Sequence, residues 1–222
     1  MSRPSLPRPQ RSVLADEVYE ILREGLMSQR IAPGSRLNLD KLARELHVSN
    51  TPVRQALARL EADGLVAKEP YRGFTASQLL DSRTIAELYD YRLLIEPPTA
   101  ARAARHQHAA AVAELESLCD GNEITRLITT APDDDDLAQR DVDFHCSIAR
   151  QAGNGVVVNN LAQTLLHMRR YTVYGLHGAG EQAWLEHRAI MAAIAAGDPE
   201  AASTAMREHL VCGLDRMKTA LR

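Results

Sequence analysis

Apolar residues recur at the spacing of an amphipathic helix in three short stretches near the start of the chain. The first stretch ends before Ala32-Pro33-Gly34 and the third ends at Asp63-Gly64, and glycine and proline of this kind are typical of helix ends. Two short apolar segments, 65–67 and 74–76, then flank Pro70-Tyr71-Arg72-Gly73. This pattern is typical of a β-hairpin. The front of the chain is therefore predicted to hold three helices and a small β-wing.

From residue 79 onward the apolar pattern is helical throughout. Breaks that are polar or rich in glycine and proline divide this part into six predicted helices, near 82–105, 108–130, 134–152, 155–174, 181–196 and 199–220. The predicted fold is mainly α, with a domain of three helices and a wing over 1–78 and an all-α antiparallel helical bundle over 79–222. Residues 1–11 contain three prolines and three arginines and predict a basic N-terminal arm on the first domain.

Charge and cysteine content add two expectations about partners and compartment. Residues 1–78 carry 12 Lys and Arg against 9 Asp and Glu, whereas residues 79–222 carry 14 against 20, so the positive front part suits a nucleic acid. The cysteines, Cys119, Cys146 and Cys212, are odd in number and scattered, which is typical of reduced thiols in the cytoplasm. Because no stretch of about 18 apolar residues occurs, we expect no membrane partner.

Residues 39–57 have the arrangement of a helix-turn-helix. Small Ala43 would let two helices cross closely, and His47 occupies the turn, where glycine is usual. The wedge between the helices would be filled by Leu46, Val48, Val53 and Leu57. The polar residues facing outward at the start of the third helix, where such helices meet base edges, are Asn50, Thr51, Arg54 and Gln55. With the hairpin, this predicts a winged helix-turn-helix; the alternative is an exposed helical hairpin or a protein-contact surface.

The residues from Pro33-Gly34 to Arg72-Gly73 resemble the GntR family of bacterial regulators, whose usual pattern is PGxxL…LA…VSRTPVREAL…GLV…RG. Order and spacing are kept, but Asn50 stands where arginine is usual and Gln55 where glutamate is usual. The resemblance implies binding to double-stranded DNA with Arg54 as the main base reader, because a guanidinium can bridge O6 and N7 of guanine. It also implies phosphate or wing contacts from Arg36, Arg44, Arg72 and Gly73.

Three histidines of the second domain, His145, His187 and His209, lie on otherwise apolar helix faces. Asp141 is four residues before His145 and therefore lies on the same face. An inward carboxylate is costly unless it is paired or binds a metal. Three imidazoles and a carboxylate that converged would suit a divalent ion such as zinc, nickel or manganese. The alternative for each histidine is an ordinary hydrogen-bonded core residue.

The second domain also resembles the FCD ligand-binding domain of the FadR subfamily of GntR regulators. The matching residues are Tyr91-Arg92-Leu93-Leu94-Ile95-Glu96, Asp141-Val142-Asp143-Phe144-His145, Ala152-Gly153-Asn154, Glu186-His187-Arg188-Ala189-Ile190 and His209-Leu210. The resemblance implies a divalent cation, zinc in the first instance, held by Asp141, His145, His187 and His209. The predicted count of six helices resembles the VanR-like branch more than the seven-helix FadR branch.

An octahedral ion with four protein ligands keeps two open positions, which a small carboxylate could fill. We expect Arg92 to clamp such an effector with its guanidinium and Asn154 to add a polar contact. An intrahelical pair with Glu96 is an equal alternative for Arg92.

Together these features predict a DNA-binding transcriptional regulator, in the first instance a repressor, whose operator affinity changes with a small organic acid. We expect a homodimer on a palindromic operator, because one recognition helix reads too few base pairs for useful specificity. The alternatives are a regulator that senses the metal itself and a metal-dependent enzyme. The enzyme alternative lacks a general base at recognisable spacing, so we expect no enzymatic activity.

Overall fold

The computed structural model describes residues 13–69, 73–130, 135–175 and 180–220. The chain forms two compact units, Met1–Gln78 and Leu79–Arg222. The predicted N-terminal arm and Arg72 of the predicted wing lie outside the described residues. Within the described residues, no helix combines the length and the apolar character needed to cross a membrane.

The N-terminal unit is a winged helix-turn-helix, as the sequence predicts. Its elements in chain order are α1 (Val13–Met27), β1 (Arg36–Leu37), α2 (Leu39–Glu45), α3 (Asn50–Ala62), β2 (Val66–Glu69) and β3 (Gly73–Ala76). The strands form an antiparallel sheet in the order β1-β3-β2, with Leu37 opposite Phe74 and Val66 opposite Ala76. The two-residue strand β1 was not predicted, because so short a segment has no periodic pattern of its own.

Packing of α1 and α2 against α3 fixes the angle at which α3 is presented. Val53, Leu57 and Leu60 of α3 are fully buried, and Ala43 of α2 is buried at the helix crossing. The turn between α2 and α3 passes through His47 at a φ of 54°, in the left-handed region that favours glycine. The amide N–H of the next residue then closes the turn by donating to the Ala43 carbonyl at 2.9 Å.

The C-terminal unit is all-α within the described residues. Its seven helices are α4 (Ser82–Arg105), α5 (Ala109–Leu118), α6 (Gly121–Thr130), α7 (Asp135–Gln151), α8 (Gly155–Gly175), α9 (Gly180–Ala195) and α10 (Pro199–Ala220). The long helix α10 packs along α4 and α9, and α7 packs against α4, α5 and α8. Their shared core includes the fully buried Leu115, Phe144, Ile190, Ile194 and Leu210.

The prediction of one helix over 108–130 is wrong, because two helices, α5 and α6, occupy this range. Asp120 causes the break: its Oδ1 accepts hydrogen bonds from the backbone N–H groups of Asn122 (2.8 Å) and Glu123 (3.3 Å) and so caps a new helix. Arg140 stabilises the end of α5 by donating to the carbonyl of Ser117 at 2.9 Å. The described part of this unit therefore has seven helices where six were predicted, and the assignment to the VanR-like branch stays a prediction.

Candidate nucleic-acid interface and candidate metal centre

The start of α3 presents polar side chains to solvent. Asn50, Thr51, Arg54 and Gln55 are all exposed, whereas Pro52 and Val53 between them are buried against the rest of the unit. Arg54 makes no hydrogen bond or ion pair with any described residue. Its guanidinium is therefore available to a ligand outside the unit.

The other predicted DNA-contacting residues lie on different elements of the same unit. Arg44 is exposed on α2, and Arg36 is exposed on β1. Gly73 is exposed at the start of β3 with a φ of 84°, a conformation that glycine adopts without strain. Arg72 lies outside the described residues. One contact that the sequence did not predict joins α2 to α3: Asn50 Nδ2 donates to Asp40 Oδ1 at 2.7 Å.

In the C-terminal unit, Asp141 and His145 of α7, His187 of α9 and His209 of α10 form a four-residue cluster. One ligand atom from each residue lies within 4.8 Å of the others. His187 Nε2 is 3.4 Å from Asp141 Oδ1 and 3.3 Å from His209 Nε2, and His145 Nε2 is 3.9 Å from Asp141 Oδ1. All three histidines are buried, whereas the side chain of Asp141 is 32% exposed and opens the cluster toward solvent.

Two carboxylates orient the cluster from outside. Glu96 Oε2 of α4 lies 2.5 Å from His145 Nδ1, and Glu186 Oε2 of α9 lies 2.9 Å from His209 Nδ1. The Glu186 contact is a hydrogen bond, whereas the Glu96 contact is a close approach without hydrogen-bond geometry. In both cases the carboxylate lies on the Nδ1 side of the imidazole and leaves Nε2 directed at the centre. Arg216 in turn holds Glu186 through two hydrogen bonds of 2.7 Å. Sequence reasoning assigned no such role to either glutamate, because both contacts join different helices.

His187 is positioned by aromatic packing instead. Its ring stacks on Phe144 with centroids 4.2 Å apart and meets the edge of Trp184 at 4.6 Å. Its Nδ1 has no hydrogen-bond partner within the described part of the chain.

Burial, reinforced by the neighbouring His209 and His145, lowers the pKa of His187 well below its ordinary 6.5. Burial also lowers the pKa of His209, although its contact with Glu186 opposes the shift. Both imidazoles are therefore neutral at pH 7.

The carboxylates beside the cluster are charged. Burial opposes ionisation of Glu96, but the Arg92 charge and the contact with His145 outweigh it and hold the pKa of Glu96 well below 4.5. In the same way, His209 and Arg216 outweigh burial and lower the pKa of Glu186 to about 2.

Arg92 forms one of the two contacts that the sequence left open, the pair with Glu96, and its role as an effector clamp stays a prediction. Its Nε donates to Glu96 Oε1 one turn along α4, so the intrahelical pair forms. Its Nη2 also lies 3.2 Å from His145 Nε2, at the edge of the cluster. Both Arg92 and Glu96 are buried, so this ion pair is shielded from solvent.

Asn154 is not part of this arrangement. It immediately precedes α8, where its Oδ1 accepts a hydrogen bond from the backbone N–H of Val157 at 3.3 Å. It lies nine residues after His145 in the sequence, beyond the end of α7 at Gln151. Asn154 therefore caps α8, and its predicted contact with an effector stays a prediction.

The donor set fits a divalent transition-metal ion. Two donors about 2.1 Å from one ion at the tetrahedral angle lie about 3.4 Å apart. The contacts of His187 Nε2 with Asp141 and His209 measure 3.4 and 3.3 Å, and His145 Nε2 lies farther from Asp141 Oδ1, at 3.9 Å. Neutral imidazoles and a carboxylate are the ligands that such ions take. Asp141, His145, His187 and His209 are therefore the residues that could hold one.

Comparison with known proteins assigns both units. Residues 14–75 match the family described as "Bacterial regulatory proteins, gntR family", and residues 87–211 match the FCD domain. A regulator from Streptomyces ambofaciens described as "Uncharacterized HTH-type transcriptional regulator in unstable DNA locus" is 32% identical over 87% of this chain and 80% of its own length. The "Probable D-xylose utilization operon transcriptional repressor" of Paenarthrobacter nicotinovorans is 26% identical over 92% of this chain and 88% of its own.

A solved structure has the same fold over nearly the whole chain. The structure titled "E. coli McbR/YncC" superposes with a TM-score of 0.73 at 20% identity and covers 95% of this chain and 100% of its own. The sequence matches identify the family, and the superposition agrees with the two-unit architecture. The chain is a DNA-binding transcriptional regulator of the GntR family that carries an FCD domain.

Proposed function

We propose that this regulator is a homodimeric repressor whose affinity for a palindromic operator changes when a small organic acid binds at a divalent metal ion in the C-terminal unit. The observation that carries the proposal is the convergence of three buried imidazoles and one half-exposed carboxylate in that unit. The name of the Paenarthrobacter relative, a transcriptional repressor, supports the direction of regulation.

In this proposal the start of α3 enters the major groove. Arg54 bridges O6 and N7 of a guanine, and Asn50, Thr51 and Gln55 contact neighbouring base edges or phosphates. Arg36, Arg44 and the wing at Arg72-Gly73 contact the phosphate backbone. A second copy of the chain supplies the other half of the recognition surface, because one helix reads too few base pairs.

Asp141, His145, His187 and His209 would hold the ion, with zinc as the first candidate and nickel or manganese as alternatives. When bound, it would supply open coordination positions to a carboxylate. Arg92 adds a positive charge at the edge of the cluster, 3.2 Å from His145 Nε2. Glu96 engages the Nε of Arg92, whereas Nη1 and Nη2 lie against Met168 Sδ (3.8 Å) and His145 Nε2 (3.2 Å). These two Nη groups are the donors that would meet an effector carboxylate at the cluster.

An effector changes DNA affinity only through its different affinities for the DNA-competent form and another form of the dimer. Coupling of this kind is typically about 1–3 kcal/mol, or about 5- to 150-fold in affinity. A regulator that senses the ion itself is the second candidate. The four protein donors favour it, because they could complete a tetrahedral ion and leave no position for an acid.

One titration separates these candidates. The operator is first selected from a random DNA library with the full-length protein. Fluorescence anisotropy then measures operator affinity during titration with di- and tricarboxylates and sugar acids, on metal-loaded and on chelator-stripped protein. We expect at least one acid to change affinity by about fivefold or more, and only on loaded protein. An acid that works equally well on stripped protein contradicts the proposal, whereas metal alone shifting affinity, with no acid effective, favours the metal sensor.

Variants test the assigned residues. His187→Ala and His209→Ala should abolish the response to the acid and lose stoichiometric metal by elemental analysis, while His106→Ala, which alters an exposed histidine outside the cluster, should keep both. Arg54→Ala should weaken operator binding by about 1–3 kcal/mol and relax base preference. Unchanged affinities of Arg54→Ala for operator and random DNA would show that α3 is not the reading helix.

A further inference from the structure

Asn50, the first residue of α3, is held by a residue of α2. Its Nδ2 donates to Asp40 Oδ1 at 2.7 Å, and both side chains are exposed to solvent. Asn50 and Arg54 are four residues apart and therefore share one face of α3. The hydrogen bond with Asp40 thus lies beside the residue proposed to read guanine.

This hydrogen bond decides which way round the Asn50 amide faces. An amide side chain has one acceptor oxygen and two N–H donors, whereas an ionised carboxylate only accepts. If the amide were reversed, Asn50 Oδ1 would face Asp40 Oδ1, and the two oxygens would repel each other. With Nδ2 fixed on Asp40, the groups left for another ligand are Oδ1 and the second N–H.

We propose that Asp40 is a positioning residue that orients Asn50 to read an adenine in each half of the operator. Adenine presents the N6–H donor and the N7 acceptor in the major groove, which Oδ1 and one N–H of an asparagine match together. Guanine presents two acceptors, which suit an arginine instead. The inference rests on the proposed function, in which the start of α3 lies in the major groove.

Asp40 is itself well placed to orient another residue. It lies in the first turn of α2, where a carboxylate interacts favourably with the helix dipole. That turn is capped by Asn38, whose side chain accepts from the N–H of Lys41 at 2.9 Å, and the Asp40 carbonyl accepts from Arg44 Nε at 3.3 Å. Because Asn50 is already held before DNA binds, less side-chain freedom is lost on binding.

The charge of Asp40 and its hydrogen bond to Asn50 have opposite effects on DNA binding, and this makes the positioning role of Asp40 testable. A carboxylate near the DNA backbone repels phosphate and weakens binding to every sequence. Asp40→Ala should therefore raise affinity for random DNA by roughly two- to fivefold at low salt. It should at the same time reduce the preference for adenine, by about two- to tenfold. A residue that only stabilised the fold would weaken both.

The experiment uses the full-length protein and the operator selected from a random library. Affinities are measured by anisotropy for random DNA and for operators carrying each of the four bases at every half-site position. Asn50→Ala should remove an adenine preference of roughly tenfold at one position of each half-site. Asp40→Asn keeps an acceptor oxygen and should retain most of that preference. Glu45→Ala is the matched control, because it removes an exposed acid from the same helix that does not contact Asn50.

The outcomes separate this inference from the proposed function. Loss of adenine preference in both Asn50→Ala and Asp40→Ala, with unchanged preference in Glu45→Ala, supports it. A different base at the Asn50-dependent position, or full adenine preference in Asp40→Ala, overturns it. If Arg54→Ala also leaves operator and random DNA affinities unchanged, the placement of α3 in the groove is what fails.

Discussion

The buried ion pair of Arg92 with Glu96 allows a sharp test of how the cluster is built. The side chains of Arg92 and Glu96 are 4% and 2% exposed. Glu96→Gln keeps the shape of residue 96 but removes its charge. The other described contacts of the Arg92 guanidinium contain no carboxylate: Met168 Sδ at 3.8 Å, His145 Nε2 at 3.2 Å and the Tyr89 ring at 5.2 Å. The variant therefore leaves a buried cation without its partner.

The expected loss of stability is large. Two unit charges about 4 Å apart interact by about 4 kcal/mol at an effective dielectric constant of about 20. Removing one partner of a buried pair typically costs about 3–5 kcal/mol. Against a total stability of about 5–15 kcal/mol, this loss is readily measured by urea denaturation of chelator-stripped protein. Because Glu96 also orients His145, zinc affinity should fall about 10- to 100-fold in a competition assay with a chromophoric chelator.

A surface pair provides the control. Arg150 and Glu114 are 3.0 Å apart with side chains 50% and 47% exposed, so Glu114→Gln should change the free energy of unfolding by less than about 1 kcal/mol. If Glu96→Gln does not fold, the double variant Arg92→Met/Glu96→Gln should recover most of the stability, because it leaves no unpaired charge. A Glu96→Gln protein as stable as the Glu114→Gln control would refute the reasoning.

Three further predictions concern stability. Burial lowers the pKa of His187 and His209, so below pH 6.5 these histidines take up more protons in the unfolded state than in the folded state. The free energy of unfolding of metal-free protein should therefore fall as pH falls from 6.5 toward 5, by up to about 1.4 kcal/mol per pH unit for each histidine. Urea denaturation measures this, and a free energy of unfolding that stays constant over this pH range would contradict the prediction. Gly213→Ala should destabilise by about 1 kcal/mol net, because overpacking of about 1–3 kcal/mol against Tyr89, whose Oη and Cε1 would lie 3.0 and 3.2 Å from the new Cβ, outweighs the gain of about 1 kcal/mol from the helix propensity of alanine. A thermal melt equal to wild type would contradict this. Asp120→Ala should cost about 1 kcal/mol through loss of the α6 cap, measured in the same way.

Local patterns were sufficient to predict most of the fold. The apolar periodicity of α3 and the glycine-containing turns around it depend on residues close together in sequence, so the helix-turn-helix and the hairpin were predicted correctly. The short elements of the fold were not predicted from the sequence. Strand β1 forms only because Arg36 and Leu37 pair with Thr75 and Phe74. The break between α5 and α6 depends on one capping residue, Asp120, inside an otherwise helical pattern.

The candidate metal centre was likewise predicted only in part from the sequence. The Asp141 and His145 pair follows from helical spacing, and the apolar faces around His187 and His209 indicate that both are buried. Whether three helices bring these side chains together is a property of tertiary packing, which places their ligand atoms within 4.8 Å of one another. Glu96 and Glu186 contact the imidazoles across 49 and 23 residues of sequence. Sequence by itself determined which residue types face inward, because that depends on local periodicity; the packing of α4, α7, α9 and α10 decided which of them meet.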